Sequence, residues 1–224
     1  MAQLTVLLWL GCGVGLEYSG TEVIDSAGDE ADADTDTDTD TDADSDADTD
    51  ADVPLPERGE LVLSEVLIDP AAVDDGDGEW LEIVNVSDHL LDLGSLWLAD
   101  EGVDGVGIDA ALTLRAGAYA VLCGNGTSAD NGGVSCDATY RYKTSGGGLS
   151  MANSGDELLL MAGSGGTVID RISWEKSFVN PGVAMGVRPG KLTEGGNDDA
   201  AAWCEQTGRL SGGDQGSPGR ENGC

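Results

Sequence analysis

The chain has 224 residues and carries 43 Asp and Glu against 10 Lys and Arg, a formal net charge of −33. Such acidity, with no cluster of bases able to release counterions from phosphates, excludes direct nucleic-acid binding and makes an anionic membrane surface repulsive. Cations, basic proteins and polar glycans remain compatible partners.

Leu4 to Leu10 form a short apolar run ending at Gly11-Cys12. It is too short to span a bilayer and suits the apolar core of a secretory signal. Trp9-Leu10-Gly11-Cys12 resembles a lipobox, in which a small residue precedes a cysteine that is diacylated and becomes the new N-terminus. Trp9 stands where that motif prefers Leu, and Met1-Ala2-Gln3 lacks a positive charge. Residues 1–11 are therefore expected to be a lipoprotein-type signal peptide and Cys12 the lipidation site. A buried strand with an ordinary core cysteine is the rival reading, disfavoured because the following stretch offers nothing to pack against.

From Ala31 to Asp52 every second residue is Asp, alternating with Ala, Thr or Ser. Pairing as a strand would put every carboxylate on one face with no base opposite, and the neutral positions are too small to bury useful area. Residues 12–57 are expected to be a disordered, self-repelling linker. Fully extended, the stretch from Cys12 to Pro56 reaches roughly 140 Å. A calcium sponge is the alternative, but a flexible carboxylate array has no fixed coordination geometry.

Residues 58–224 hold all 10 bases and 26 of the 43 acids. A chain of that length buries roughly 70% of its unfolded surface in one core. Short apolar runs separated by Gly, Asp and Asn give the spacing of an all-β sandwich. The runs predict strands at Leu61 to Leu67, Trp80 to Val86, Leu96 to Ala99, Ala118 to Cys123, Glu157 to Ala162 and Thr167 to Trp174, the last two joined by a Gly163-Ser164-Gly165-Gly166 hairpin turn. If Cys12 is acylated, four cysteines remain. Exported chains oxidise such sets, and pairing Cys123 with Cys136 and Cys204 with Cys224 closes two Gly-rich local loops, each bridge contributing roughly 3 kcal/mol. A zinc site is the rival, without a CxxC pair to support it.

Several blocks occur in order: Glu60-Leu61-Val62-Leu63-Ser64-Glu65-Val66, Glu79-Trp80-Leu81-Glu82-Ile83-Val84-Asn85, Leu91-Asp92-Leu93 with Trp97-Leu98-Ala99-Asp100, Leu114 to Tyr119, Asn153 to Leu158 with Val168-Ile169-Asp170, and Gln215-Gly216-Ser217-Pro218-Gly219. Together they resemble a lamin-tail domain over about residues 60 to 219. The resemblance implies an immunoglobulin-like β-sandwich of lamin-tail type, in bacteria a surface-displayed accessory module. In that frame Trp80 and Trp97 are expected in the inter-sheet core and Glu82 at an outward strand position.

Asp74, Asp75, Asp77 and Glu79 crowd one Gly-containing loop and form a candidate calcium site, although the regular EF-hand frame is missing and a solvated acidic turn competes. Glu79 also belongs to the Glu-Trp block, with a structural role as hydrogen-bond acceptor. His89 beside Asp88, and Gly148-Leu149-Ser150-Met151-Ala152, imitate catalytic motifs without the strand-to-helix setting a nucleophile elbow needs. Gly105-Val106-Gly107-Ile108-Asp109-Ala110 fits a dinucleotide fingerprint by letters only and reads as loop. No cluster of aromatics marks a sugar platform.

The sequence thus predicts a non-enzymatic, surface-displayed binding or structural module, lipid-anchored to the cell envelope, outer membrane or cell surface, with no obligate cofactor. Its partner would be an envelope or extracellular protein or glycan, and it would touch the membrane only through its lipid. The alternative is a calcium-dependent hydrolase or calcium-binding adhesion domain using loop 74–79.

Overall fold

The computed structural model describes residues 52–102 and 104–224. The signal-like leader, Cys12 and most of the acidic tract lie outside them. Among the described residues no helix is long and apolar enough to cross a membrane.

The apolar runs form the strands β1 (Leu61–Leu67), β2 (Trp80–Asn85), β3 (Leu91–Asp92), β4 (Leu96–Ala99), β5 (Gly105–Gly107), β6 (Thr113–Leu114), β7 (Tyr119–Cys123), β8 (Ala138–Thr139), β9 (Gly155–Ala162), β10 (Val168–Glu175), β11 (Met185–Val187) and β12 (Trp203–Glu205). One helical turn, α1 (Asp75–Gly78), precedes β2. A six-stranded sheet runs β12-β11-β1-β2-β7-β8, and a four-stranded sheet runs β10-β9-β4-β5. β3 and β6 form a separate ribbon. All pairings are antiparallel except β7 with β8. The result is an immunoglobulin-like sandwich, as the alternation of short runs and turns requires.

Between the sheets lie Leu61, Leu63 and Val66 of β1, Leu81 and Ile83 of β2, Leu96 and Leu98 of β4, Leu158 and Leu160 of β9, and Ile172 and Trp174 of β10. Each fully buried aliphatic side chain contributes about 1.5–3 kcal/mol of transfer free energy. β1 pairs with β2 through a register shift between Leu63 and Glu65. That bulge turns the inward set from Leu61 and Leu63 to Val66 and sends Glu65 and Leu67 to the outer face, because neighbouring strand residues point to opposite sides.

The outer face of the six-stranded sheet is covered as well. Leu67, Trp80, Val121, Cys123, Val134 and Ala184 form a second apolar cluster there, so every residue of β1 and β2 is buried. This arrangement corrects two sequence expectations. Trp80 belongs to this outer cluster and Trp97 to neither cluster, because Leu81, Ile83, Leu96 and Leu98 take the inward positions beside them. The aromatics of the inter-sheet cluster are Tyr140, Trp174, Phe178 and Trp203, the last edge-on to Phe178 at 5.6 Å. Glu82 does point outward, yet it is fully buried by the covering segment instead of meeting solvent.

Order begins earlier than residue 58. Pro56 is buried and the Pro54 carbonyl accepts from the Asp92 amide at 2.8 Å. The Gly105 to Gly107 stretch, expected to be loop, is strand β5, paired with β4 from Trp97↔Gly107 to Ala99↔Gly105. Its glycines have little strand preference of their own; the neighbouring indole holds them in place. The turn at 163–166 does form a hairpin, with Gly163 and Gly165 at φ of 86° and 69°.

Candidate functional site

The acidic loop is the first candidate, and its carboxylates diverge. Gly78 packs where an added Cβ would lie 2.6 Å from both Pro70 and Val73, which fixes the single turn of α1 against the preceding segment. The turn points Asp75 towards Asn153, whose amide nitrogen lies 3.3 Å from Asp75 Oδ2. Asp77 Oδ1 accepts from Asn125 Nδ2 at 2.8 Å, and Asp74 is exposed. Glu79, between α1 and β2, is buried and accepts from the Met151 amide at 2.9 Å. Among the described residues no group of three His, Cys, Asp or Glu side chains could hold a metal ion.

Burial pushes the Glu79 carboxyl up to about 8, with Asp75 and Asp156 adding repulsion. The same burial raises the nearby Tyr142 phenol to about 12. Glu79 thus ties the start of β2 to the approach of β9, a contact spanning 72 residues of sequence. Calcium calorimetry on the full chain and on an Asp74→Asn/Asp75→Asn/Asp77→Asn variant checks the loop directly. The expected isotherms coincide; a saturable site lost in the variant, with loss of any glycan or phosphodiester turnover, would support the calcium-dependent reading.

A second group of acids lies on the outer face of the six-stranded sheet. Glu65 and Glu82 are directly opposite across β1 and β2 and have no exposed surface. The C-terminal segment seats on them. The Ser217 amide donates to Glu65 Oε1 at 2.8 Å, and the Gly219 amide donates to Glu82 Oε2 at 2.6 Å. Ser64 Oγ lies 2.6 Å from Glu82 Oε1. Asn222 Nδ2 donates to the Ser64 and Val187 carbonyls at 2.8 and 3.2 Å. Gly216 is required at the crossing, since a Cβ there would lie 2.9 Å from the Trp80 ring and 3.1 Å from Glu65 Oε1.

Hydrogen-bond arithmetic sets the protonation state of Glu65. Ser217 Oγ is within 2.6 Å of Glu65 Oε2, 2.9 Å of Gln206 Oε1 and 3.1 Å of Asn222 Oδ1. The Gln206 oxygen is fixed by the Gly223 amide at 2.9 Å, and the Asn222 oxygen by the two bonds from its nitrogen. A hydroxyl has one proton to give and cannot satisfy three acceptors. A protonated Glu65 relieves the conflict by donating to Ser217, whose own proton is then shared between the Gln206 and Asn222 oxygens. Burial accordingly raises Glu65 to about 7, against the smaller opposing effects of Ser217 and Arg220. Glu82 is raised to about 8, by burial first and then by Ser64 opposing and Glu65 adding repulsion.

Asp170 fills a third structural position. Its Oδ2 accepts from the Leu63 amide at 2.7 Å and from Asn197 Nδ2 at 2.8 Å, while Asn197 also donates to the Leu63 carbonyl at 3.1 Å. These two side chains satisfy both halves of a backbone unit left without ladder partners at the β1 bulge. Burial raises Asp170 to about 6.

Cys123 is bridged to Cys136 and Cys204 to Cys224, each pair with its Cα atoms 6.0 Å apart. The second bridge pins the C-terminal residue to β12. His89 sits at the surface with its ring nitrogens 3.4 Å from Glu60 and 3.2 Å from Asp88. Among the described residues its ring has no hydroxyl or thiol partner. Ser150 lies just before β9 and not at a strand-to-helix turn. The sequence assigned no role to Glu65, Asp170, Asn197, Ser217 and Asn222. The available signal was a lone Glu inside each of the apolar runs Leu61–Leu67 and Trp80–Asn85, where strands buried on both faces leave a charge no exit.

The lamin tail domain family matches residues 54–176 of the chain. The match ends before β11, β12 and the covering segment. No curated protein and no solved structure matches the chain.

Proposed function

The chain belongs to the lamin tail domain family, and from that premise we propose that it is a non-enzymatic binding or structural module displayed at a bacterial cell surface. Cys12 carries the lipid that holds it, residues 12–57 keep it away from the membrane, and the sandwich presents its loops to an envelope or extracellular protein or glycan. Rigid sheets with variable loops suit display.

The observation that supports a non-enzymatic reading is the fate of the buried acids. Glu65, Glu79, Glu82 and Asp170 each accept a backbone N–H from a segment distant in sequence. General acid–base catalysis needs a carboxyl within hydrogen-bond reach of substrate, and these four are sealed from solvent. Their raised protonation equilibria follow from burial in the scaffold, which is the non-catalytic route to such a shift.

Metabolic labelling with an alkyne fatty acid tests the anchor. The wild-type chain expressed in a lipoprotein-processing bacterium is expected to take up the label and fractionate with membranes. Cys12→Ser is expected to lose both. Label-free, soluble wild-type protein would overturn the anchored reading.

A further inference from the structure

We infer that the gap between β5 and the segment Tyr140–Lys143 is a binding slot for a neutral hexopyranose unit of a glycan, stacked on Trp97. The inference rests on the display reading above and gives it a ligand class.

β5 is the edge of the four-stranded sheet and pairs on one side only, with β4. The Ile108 amide donates to the Leu96 carbonyl at 3.3 Å and the Asp100 amide to the Asp104 carbonyl at 3.2 Å. In an antiparallel ladder alternate residues turn their peptide groups towards the partner strand. Asp104, Val106 and Ile108 therefore face β4, and Gly105 and Gly107 aim their N–H and C=O groups the other way.

On that side Tyr140–Lys143 runs back alongside. It is tied to β5 at one end by the antiparallel Ile108–Tyr140 bridge and by the Asp109 amide donating to the Thr139 carbonyl at 2.8 Å. At the other end Lys143 is paired with Asp104. Between these ties the two stretches separate and enclose about 370 Å³, lined by Trp97, residues 105–109 and Arg141.

The floor is aromatic. A Cβ on Gly105 would lie 2.5 Å from Trp97 Nε1, and one on Gly107 would lie 3.6 Å from the ring, so the indole lies across the two glycines. Trp97 is only half-buried and belongs to neither apolar cluster. Its N–H has no protein acceptor among the described residues. The rim is polar. Arg141 and Asp109 are exposed, oppositely charged, and in no ion pair among the described residues.

These features select the ligand. An added peptide strand needs a longer open edge, and here the edge is closed after Gly105–Gly107. Free phosphates and nucleic acids meet a chain of net charge −33. A pyranose ring has one apolar C–H face for the indole and a circle of hydroxyls for Arg141, Asp109 and the outward-facing backbone groups of Gly105. Because the two rim charges cancel, the sugar is neutral. The volume is within the range of small-ligand sites and limits occupancy to one or two rings.

Calorimetry and saturation-transfer NMR of the full chain against neutral cello-, xylo-, manno- and chito-oligosaccharides test the slot. Saturable binding to at least one series is expected, about tenfold weaker in Trp97→Ala and in Arg141→Ala. Arg141 is exposed, so its variant remains folded if the Trp97 variant does not. Absence of binding to the whole panel, or binding unchanged by Arg141→Ala, would overturn the inference. Fatty-acid labelling at Cys12 is independent of both results, so failure of the slot and failure of the display reading are distinguishable.

Discussion

Replacing Glu65 and Glu82 together by Gln is expected to flatten the pH dependence of unfolding while leaving the fold intact in mild acid. In the folded chain Glu65 is raised to about 7 and Glu82 to about 8 by burial, whereas an unfolded Glu titrates near about 4.3. Between these values the folded state binds more protons than the unfolded state, so stability falls as pH rises. The contribution is fully present below about 4.3 and is lost as pH passes through about 7 and then about 8. Glu79 and Asp170, raised to about 8 and about 6 by burial, act in the same direction.

One pH unit of displacement corresponds to about 1.4 kcal/mol, so the Glu65 and Glu82 pair alone is expected to remove about 3 kcal/mol or more between pH 5 and pH 8.5. For a domain of this size that lowers Tm by about 6–12 °C. Gln reproduces the protonated geometry at both positions. Its oxygen accepts from Ser217 or Gly219 as the carboxyl does now, and its nitrogen donates to the Ser217 or Ser64 hydroxyl. Thermal unfolding across this pH range checks the expectation. A double variant with the same slope as wild type would show that these carboxyls ionise freely in the folded chain.

The second large effect is expected from Cys204→Ser/Cys224→Ser. The bridge closes a sequence separation of 20 residues and holds the end of the covering segment against β12. Its loss is expected to cost about 3 kcal/mol through the unfolded state alone. A further consequence is local. Asn222 and Gly223 are held within one or two residues of the bridge, so Ser217 and Gly219 lose their anchor and water reaches Glu65 and Glu82. Hydrogen exchange is therefore expected to quicken at residues 206–223 and in β1 and β2 before global unfolding. Cys123→Ser/Cys136→Ser, whose bridge spans a separation of 13, is expected to leave that segment protected. Equal exchange in both variants would contradict the clasp.

The strands carrying apolar runs were legible because burial leaves a periodic trace: β1, β2, β4, β7, β9 and β10 all fall within a few residues of the runs that announce them. β5 left no such trace, since a Gly-Val-Gly strand draws its order from the indole of Trp97. β11 and β12 are three residues each, too short for an apolar run to announce them. Local disulfide pairing was legible from loop length.

The acids were harder to read for a physical reason. Strand alternation correctly turned Glu82 away from the inter-sheet core, but outward was equated with solvent. What covers it is Gly219, 137 residues away, and what covers Glu65 is Ser217, 152 residues away. No local pattern encodes a partner at such a separation. The loop at 74–79 shows the converse difficulty: neighbours in sequence offered a cluster, and one helical turn followed by a strand directs Asp75, Asp77 and Glu79 onto Asn153, Asn125 and Met151.

Site-specific carboxyl 13C NMR of the full chain, titrated from pH 4 to pH 9 with Glu65→Gln and Glu82→Gln used for assignment, measures the proposed clasp itself. Titration midpoints near 7 for Glu65 and near 8 for Glu82 are the expected result. Midpoints near about 4.3, as for a solvated glutamate, would mean that the C-terminal segment closes over charged groups and that neutral buried acids do not hold this sandwich together.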